Sequence, residues 1–384
     1  MANDNVKRMV ALDGLRGIAA LGVAIHHFPK IFLGSGTPLI ENAYLFVDMF
    51  FVLSGLVLAN TYEDRLSRGQ LGLKDYVSRR FFRLYPLHIA TMVLFLVMLG
   101  LTDAMRFAAA QFIPSINTHS QLLDELVVKH IAVDLLMLQA SGILPEPVRH
   151  LNFPSWSISS EWIVNVYFGA IWVFAKPSRV TLMITAVLSI AAIFLFNGDQ
   201  YINAHVENGL GVIRCIAGFA LGVLLCRLYR KRVFSTVADK LQWPVLALTL
   251  LFVWFGGWNS LSLLAPFVFA VLVLVLSYDQ GPVCRLLQSA PVHWLGIRSF
   301  GIYLVHGCLI NLFGNSLQIA LEKARLGPML SAIAGLCGLA LFVASVLALA
   351  HFAYKYVEVP GMQLGERLRR RQGALPPAPR QTPT

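Results

Sequence analysis

Long apolar runs separated by short polar stretches make up most of the chain. Ten runs read as helices that cross a bilayer: 9–28, 44–61, 84–101, 158–175, 179–196, 209–227, 244–256, 261–277, 299–317 and 328–352. A span needs about 20 residues of apolar helix, and a helix satisfies its own backbone hydrogen bonds where no water is present. The seventh run is short, and the pair over 244–277 turns sharply at GGWNS. The segment 127–140, VVKHIAVDLLMLQA, is too short and too polar to span, so it is expected at the interface or tucked beside the bundle. Gly-rich stretches such as GFALGVLL suit close approach of helices. The pattern predicts an all-α polytopic bundle forming one domain over residues 1–355. The basic tail 356–384, ending GALPPAPRQTPT, is Pro-rich, cannot build a core and is expected to be disordered.

Composition agrees. Of 384 residues, 57% are hydrophobic and 13% charged, against about 25% charged in soluble domains. A net charge of +11 raises the question of nucleic acid. No basic stripe interleaved with aromatics lies outside the spans, so nucleic acid is set aside in favour of loops that stay on the cytoplasmic side. Ten spans put both termini on one side. With that side inside, 23 of the 31 Lys and Arg fall in inner segments and six in outer ones, which predicts an N-in, C-in topology. The outer segment 102–157 is then long enough to cap the bundle. The five cysteines show neither CxxC nor metal-ligand spacing, so neither a disulfide framework nor a metal site is expected. The N-terminal MANDNVKRMV precedes no small-residue cleavage site, and the first run is read as a retained span.

Polar residues inside the runs carry the chemistry, because an ionisable group in lipid is costly unless paired or functional. In LDGLRGIAALGVAIHHF, Arg16 and His27 are eleven residues apart. That is close to three turns, so they share a helix face, separated by roughly 16 Å along the axis. Asp13 lies one turn before Arg16 and can neutralise it, while His26 points elsewhere and suits interfacial anchoring. In the second run Asp48 sits at the depth expected for His27, and Ser54–Gly55 interrupts the middle with small residues. Either these two permit helix packing or they leave room for a ligand. Arg79, Arg80 and Arg83 precede the third run. The latter two, one turn apart, form a phosphate-sized fork, although membrane anchoring uses the same residues. Glu161 begins the fourth run among Ser157, Ser159 and Ser160, beside Trp156 and Trp162. This reads as the mouth of a polar cavity or as a capped interfacial helix start. Arg214 opens the sixth run, and Tyr303 and His306 share a face of the ninth. A lone intramembrane histidine also suits a helix–helix hydrogen bond.

The order of these motifs resembles the acyltransferase 3 family of bacterial polytopic O-acyltransferases. The resemblance rests on Arg16 and His27 with ten residues between them, FFVLSG at 50–55, RFFR at 80–83, WSISSE at 156–161, and Ser299, Tyr303, Leu304 and His306 near the end. It covers about residues 8–355 and selects His27 over His26. It implies a multi-pass protein of the bacterial cytoplasmic membrane that moves an acyl group, often acetyl, from cytoplasmic acyl-CoA to a hydroxyl on an extracytoplasmic glycan or lipid. On that view Arg80 and Arg83 hold the CoA phosphates, and its arm passes Arg16 and Ser54–Gly55. His27 then serves as general base, with Asp48 or Glu161 orienting it. An acyl-His intermediate is the mechanistic alternative. Trp156, Ser157, Arg214, Tyr303 and His306 are expected around the acceptor. Acceptor choice is expected to fall to the spans and the 102–157 segment, since no hydrolase-like domain follows the last span as it does in some members. The rival class is a proton-coupled transporter that uses the same His, Asp and Glu as a relay, and no inverted repeat favours it. The acceptor and the oligomeric state are not encoded in any motif.

Overall fold

The computed structural model describes residues 8–28, 37–111, 119–120, 128–143, 151–197, 201–203, 208–310, 313 and 327–371. The described residues are helical with no strand. Twelve helices carry the architecture: α1 (Val10–His27), α2 (Phe46–Leu58), α3 (Leu73–Ala110), α4 (Val128–Leu135), α5 (Ser155–Phe174), α6 (Arg179–Phe196), α7 (Leu210–Arg230), α8 (Ala238–Phe255), α9 (Ala265–Ser277), α10 (Ala290–Ile310), α11 (Pro328–Ala353) and α12 (Val359–Arg371). Each of the ten apolar runs falls on a helix, the ninth being described as far as Ile310.

Seven helical stretches among the described residues are long and apolar enough to cross a membrane. The remaining three expected spans, α1, α5 and α10, fall short of that measure because they carry the polar residues of interest. Arg16, Glu161 and Tyr303 on these helices are turned inward and bond to side chains of other helices. The peripheral α6 shows the opposite distribution. It exposes Val180, Ile184, Leu188, Leu195 and Phe196, as a lipid-facing helix does, since lipid is as apolar as the core.

Two glycine seams bring helices into backbone contact. α1 lies along α10, where a Cβ on Gly17 would stand 2.4 Å from the Gly296 nitrogen. α2 lies along α7, where a Cβ on Gly222 would meet the Val52 carbonyl at 2.1 Å and one on Gly55 the Phe219 carbonyl at 2.2 Å. Only the missing side chain allows these approaches.

α2 continues through a π turn, Ala59–Glu63, into a short helix, Asp64–Ser67. α3 is 38 residues long, about 57 Å at 1.5 Å per residue, so its first turns project beyond the expected span 84–101 and carry Arg79, Arg80 and Arg83. Residues 128–140 of the segment 127–140 form α4 and the turn after it, packed beside the bundle. His88 Nε2 bonds the Asp134 carbonyl at 2.7 Å, Gln139 Nε2 donates to Ser155 Oγ at 3.0 Å, and Ser159 Oγ donates to the Met137 carbonyl at 2.9 Å.

The tail departs from expectation. α11 runs through a π turn, Tyr354–Glu358, into α12, so ordered helix reaches Arg371 where disorder was expected from 356. α12 docks on α3: Gly361 meets Pro86 and Gly365 meets Phe82, while Arg369 donates to Ser78 at 3.4 Å. Pro86 has no N–H to donate to the Phe82 carbonyl, and its ring instead supplies a surface for α12. The Pro-rich residues 372–384 lie outside the described residues.

Candidate active site

A cavity of about 270 Å³ opens among α1, α2, α3, α5 and α10. From α2 it is lined by Val47, Phe50, Phe51, Leu53, Ser54, Val57 and Leu58, most of which recur at helical spacing on one face. Val47 to Leu58 spans about 16 Å along the axis. One part of the lining is polar: Arg16, Ser54, Arg80, Arg83, Glu161 and Ser299. Toward Val47 it becomes apolar, with Phe50, Phe51 and Tyr303. A second cavity of about 340 Å³ shares Arg16, Leu53 and Val57 with the first and extends past Arg8, Asn60 and Thr61.

Each arginine is held by a defined partner. Arg16 Nε donates to Ser299 Oγ at 2.8 Å, and its Nη2 lies 3.4 Å from Asp13 Oδ1. Arg80 donates to Glu161 Oε1 at 3.0 Å, and the same oxygen accepts from Ser54 Oγ at 3.0 Å. Arg83 pairs with Glu358 and stands 5.6 Å over the Phe300 ring. Thus Arg80 and Arg83 share the cavity as the RFFR spacing implied, but each is clamped by its own carboxylate. Glu358, fully buried at its side chain, was missed. It lies in YKYVEVP, largely inside the segment expected to be disordered, and the available signal was a lone acid close after the tenth run.

His27 lies beyond the apolar part of the cavity and is not among its lining residues. A chain of ring contacts connects the two. Phe50 meets Tyr303 edge to face at 5.7 Å, Tyr303 meets His306 at 5.7 Å, and His306 stacks on His27 at 5.1 Å. His27 Nδ1 is 2.9 Å from the Val23 carbonyl. A carbonyl only accepts, so a neutral His27 carries its proton on Nδ1 and presents Nε2 as the basic nitrogen. His26 turns its Nδ1 to the Ile40 carbonyl at 2.9 Å, consistent with its different direction on the helix. Tyr303 and Ser157 hydroxyls are 2.8 Å apart at the cavity wall.

This geometry corrects the expectations for Asp48, Arg214, Trp156 and Glu161. Asp48 does not face His27. Its two oxygens take Arg214 Nε at 2.8 Å and Nη2 at 2.7 Å, both side chains fully buried, because a carboxylate in an apolar core needs a cation with matching geometry. Arg214 is thereby committed, with Nη1 on Asn203 Oδ1 at 2.6 Å, and is not presented to an acceptor. Trp156 lies 5.5 Å beneath that guanidinium and packs around the ion pair. Glu161 sits among the cavity arginines instead of beside His27. Of the two readings of Ser54–Gly55, Gly55 takes helix packing, closed by the Phe219 carbonyl, whereas Ser54 lines the cavity. Ser159 bonds the backbone of the turn after α4, and Ser160 the Trp156 carbonyl of α5 itself. Among the described residues no group of His, Cys, Asp and Glu could hold a metal ion.

Residues 9–351 match the family model described as an acyltransferase domain. The chain belongs to the acyltransferase 3 family. This family member is similar to acyltransferase MdmB of Streptomyces mycarofaciens, at 28% identity over 98% of both chains. It is 30% identical to protein 2 in picA locus of Rhizobium radiobacter, over 50% of this chain and 95% of that protein. It is 26% identical, over 80% of its length, to a Staphylococcus aureus protein named as an O-acetyltransferase; there it spans only 51% of the relative. No solved structure matches this acyltransferase.

Proposed function

We propose that this acyltransferase moves a short acyl group, acetyl in the simplest case, from cytoplasmic acyl-CoA to a hydroxyl of an extracytoplasmic glycan or lipid. The observation that carries the reading is the continuous arrangement from the arginine-lined cavity through Tyr303 and His306 to His27, in a chain of this family. The charge bias of the loops supports an inner position for the arginine end and an outer position for His27.

The donor's phosphates would lie at the basic mouth, where Arg80, Arg83 and Arg16 supply charge, with its pantetheine arm in the cavity and the thioester carbonyl near Tyr303. Glu161 and Glu358 keep the guanidiniums extended toward the cavity. His27 Nε2 takes the proton of the acceptor hydroxyl as that oxygen attacks the carbonyl carbon. The Tyr303 hydroxyl is placed to donate to the tetrahedral oxyanion. The C–S bond then breaks, and the proton passes from His27 to the departing thiolate, giving the ester and free CoA. His306, stacked on His27, fixes the imidazole plane.

Labelled acetyl-CoA given to membranes with and without this protein tests the reading. Label is expected in an envelope glycan or lipid only when the protein is present, and not with His27→Ala. Equal incorporation without the protein would refute it.

A further inference from the structure

We propose that Phe50 sets the length of the acyl group and selects short ones. The inference deepens the acyl-CoA reading and rests on it. Phe50 is half-buried, while its neighbours Val47, Phe51 and Leu53 are buried at 4%, 2% and 4% exposure. On α2 the cavity lining changes character within one turn. Ser54 stands with Glu161 and Arg80. Phe50, four residues earlier, is about 6 Å further along the axis and faces the edge of Tyr303 at 5.7 Å. These two rings form the end of the cavity that lies toward His306 and His27.

This geometry acts as a ruler. The donor's phosphates are fixed at the arginines, so its acyl end leads toward the Phe50–Tyr303 wall. Chemistry needs the carbonyl near Tyr303, next to the His306–His27 stack. An acetyl group places only a methyl ahead of the carbonyl. Each further methylene must fit between carbonyl and wall, or else it holds the carbonyl back beside Ser54 and Glu161, away from His27. The arginine end cannot yield without breaking the contacts of Arg80 and Arg83 with their carboxylates. Phe51 cannot take this part, since it is buried and packs on Trp156 at 6.2 Å.

The test uses detergent-purified full-length protein, with CoA, acetyl-CoA, butyryl-CoA and hexanoyl-CoA titrated calorimetrically into wild type, Phe50→Ala and Phe50→Leu. No acceptor is needed. Wild type is expected to bind hexanoyl-CoA about ten-fold or more weakly than acetyl-CoA. Phe50→Ala should narrow or invert that ratio by about ten-fold, with Phe50→Leu intermediate, each variant's affinities being taken relative to its own affinity for CoA. Thermal unfolding checks that each variant is folded, and the leucine variant decides if the alanine one is not. Chain-length ratios unchanged in folded variants would overturn the role of Phe50. Absence of binding by every CoA species to wild type would instead remove the acyl-CoA reading itself.

Discussion

Replacing His27 by alanine removes the basic nitrogen that the Val23 hydrogen bond presents, and a lost general base costs about 10²–10⁴-fold in rate. Purified His27→Ala is therefore expected to unfold like wild type but transfer acyl groups at about 1% of its rate or less. His26→Ala, whose ring bonds the Ile40 carbonyl, should retain most activity. The Asp48–Arg214 pair predicts the opposite pattern. Asp48→Asn leaves a guanidinium buried with its charge uncompensated, a loss of about 3–5 kcal/mol. Low yield and a lowered unfolding temperature are expected, with Asp48→Leu/Arg214→Leu recovering part of both; equal stability of all three would contradict the ion pair. At this scale the sequence spoke clearly through spacing. Arg16 with His27, and Arg80 with Arg83, each share a face because helix periodicity dictates it. Partnership was less legible. Asp48 and Arg214 are 166 residues apart, and the rule that a buried carboxylate needs a cation does not say which one.

Each span was legible as a helix because its apolar run is long, whereas α12 was hidden. Its apolar positions are few, it is rich in arginine, and what orders it is docking on α3 through Gly361 and Gly365. The π turn over Tyr354–Glu358 is part of that docking. A π turn adds a residue to the helical repeat and so rotates the helix beyond it, and here Glu358 comes to face Arg83. Glu358→Gln is expected to release Arg83 from its fixed pose and raise the acyl-CoA KM several-fold with a smaller change in kcat, measured with labelled acetyl-CoA. An unchanged KM would assign Glu358 to packing alone. The glycine seam between α2 and α7 predicts that Gly222→Val prevents assembly, since its Cβ would already stand 2.1 Å from the Val52 carbonyl; loss of the folded protein on size exclusion would show it.

For the molecule as a whole, the helices hardest to recognise as spans by hydropathy are those that carry the site. α1, α5 and α10 give up apolar character to hold Arg16, His27, Glu161, Tyr303 and His306, so the residues that dilute the membrane signal are those of the proposed site. Sidedness is the further requirement of the proposed chemistry. With the native cysteines removed, Ser120→Cys is expected to react with an impermeant maleimide on intact spheroplasts, and Thr382→Cys only after lysis. The reverse pattern would place the arginines away from cytoplasmic acyl-CoA and rule out transfer by this route.

The α1–α10 seam at Gly17 and Gly296 has a mechanical implication. Arg16 and His27 stand on one of these helices, and Ser299, Tyr303 and His306 on the other. Backbones in direct contact cannot slide or part without losing the whole seam, so these residues form one stator. The α2–α7 seam anchors the Phe50 wall in the same way. Two walls remain outside these seams: α3, which reaches the cavity through Arg80, Arg83 and Leu84 and is braced by α12, and α5, which reaches it through Ser157, Ile158 and Glu161. For the donor proposed above, whatever gives way to let it in and out is then left to these two walls, because the other three helices are locked backbone to backbone.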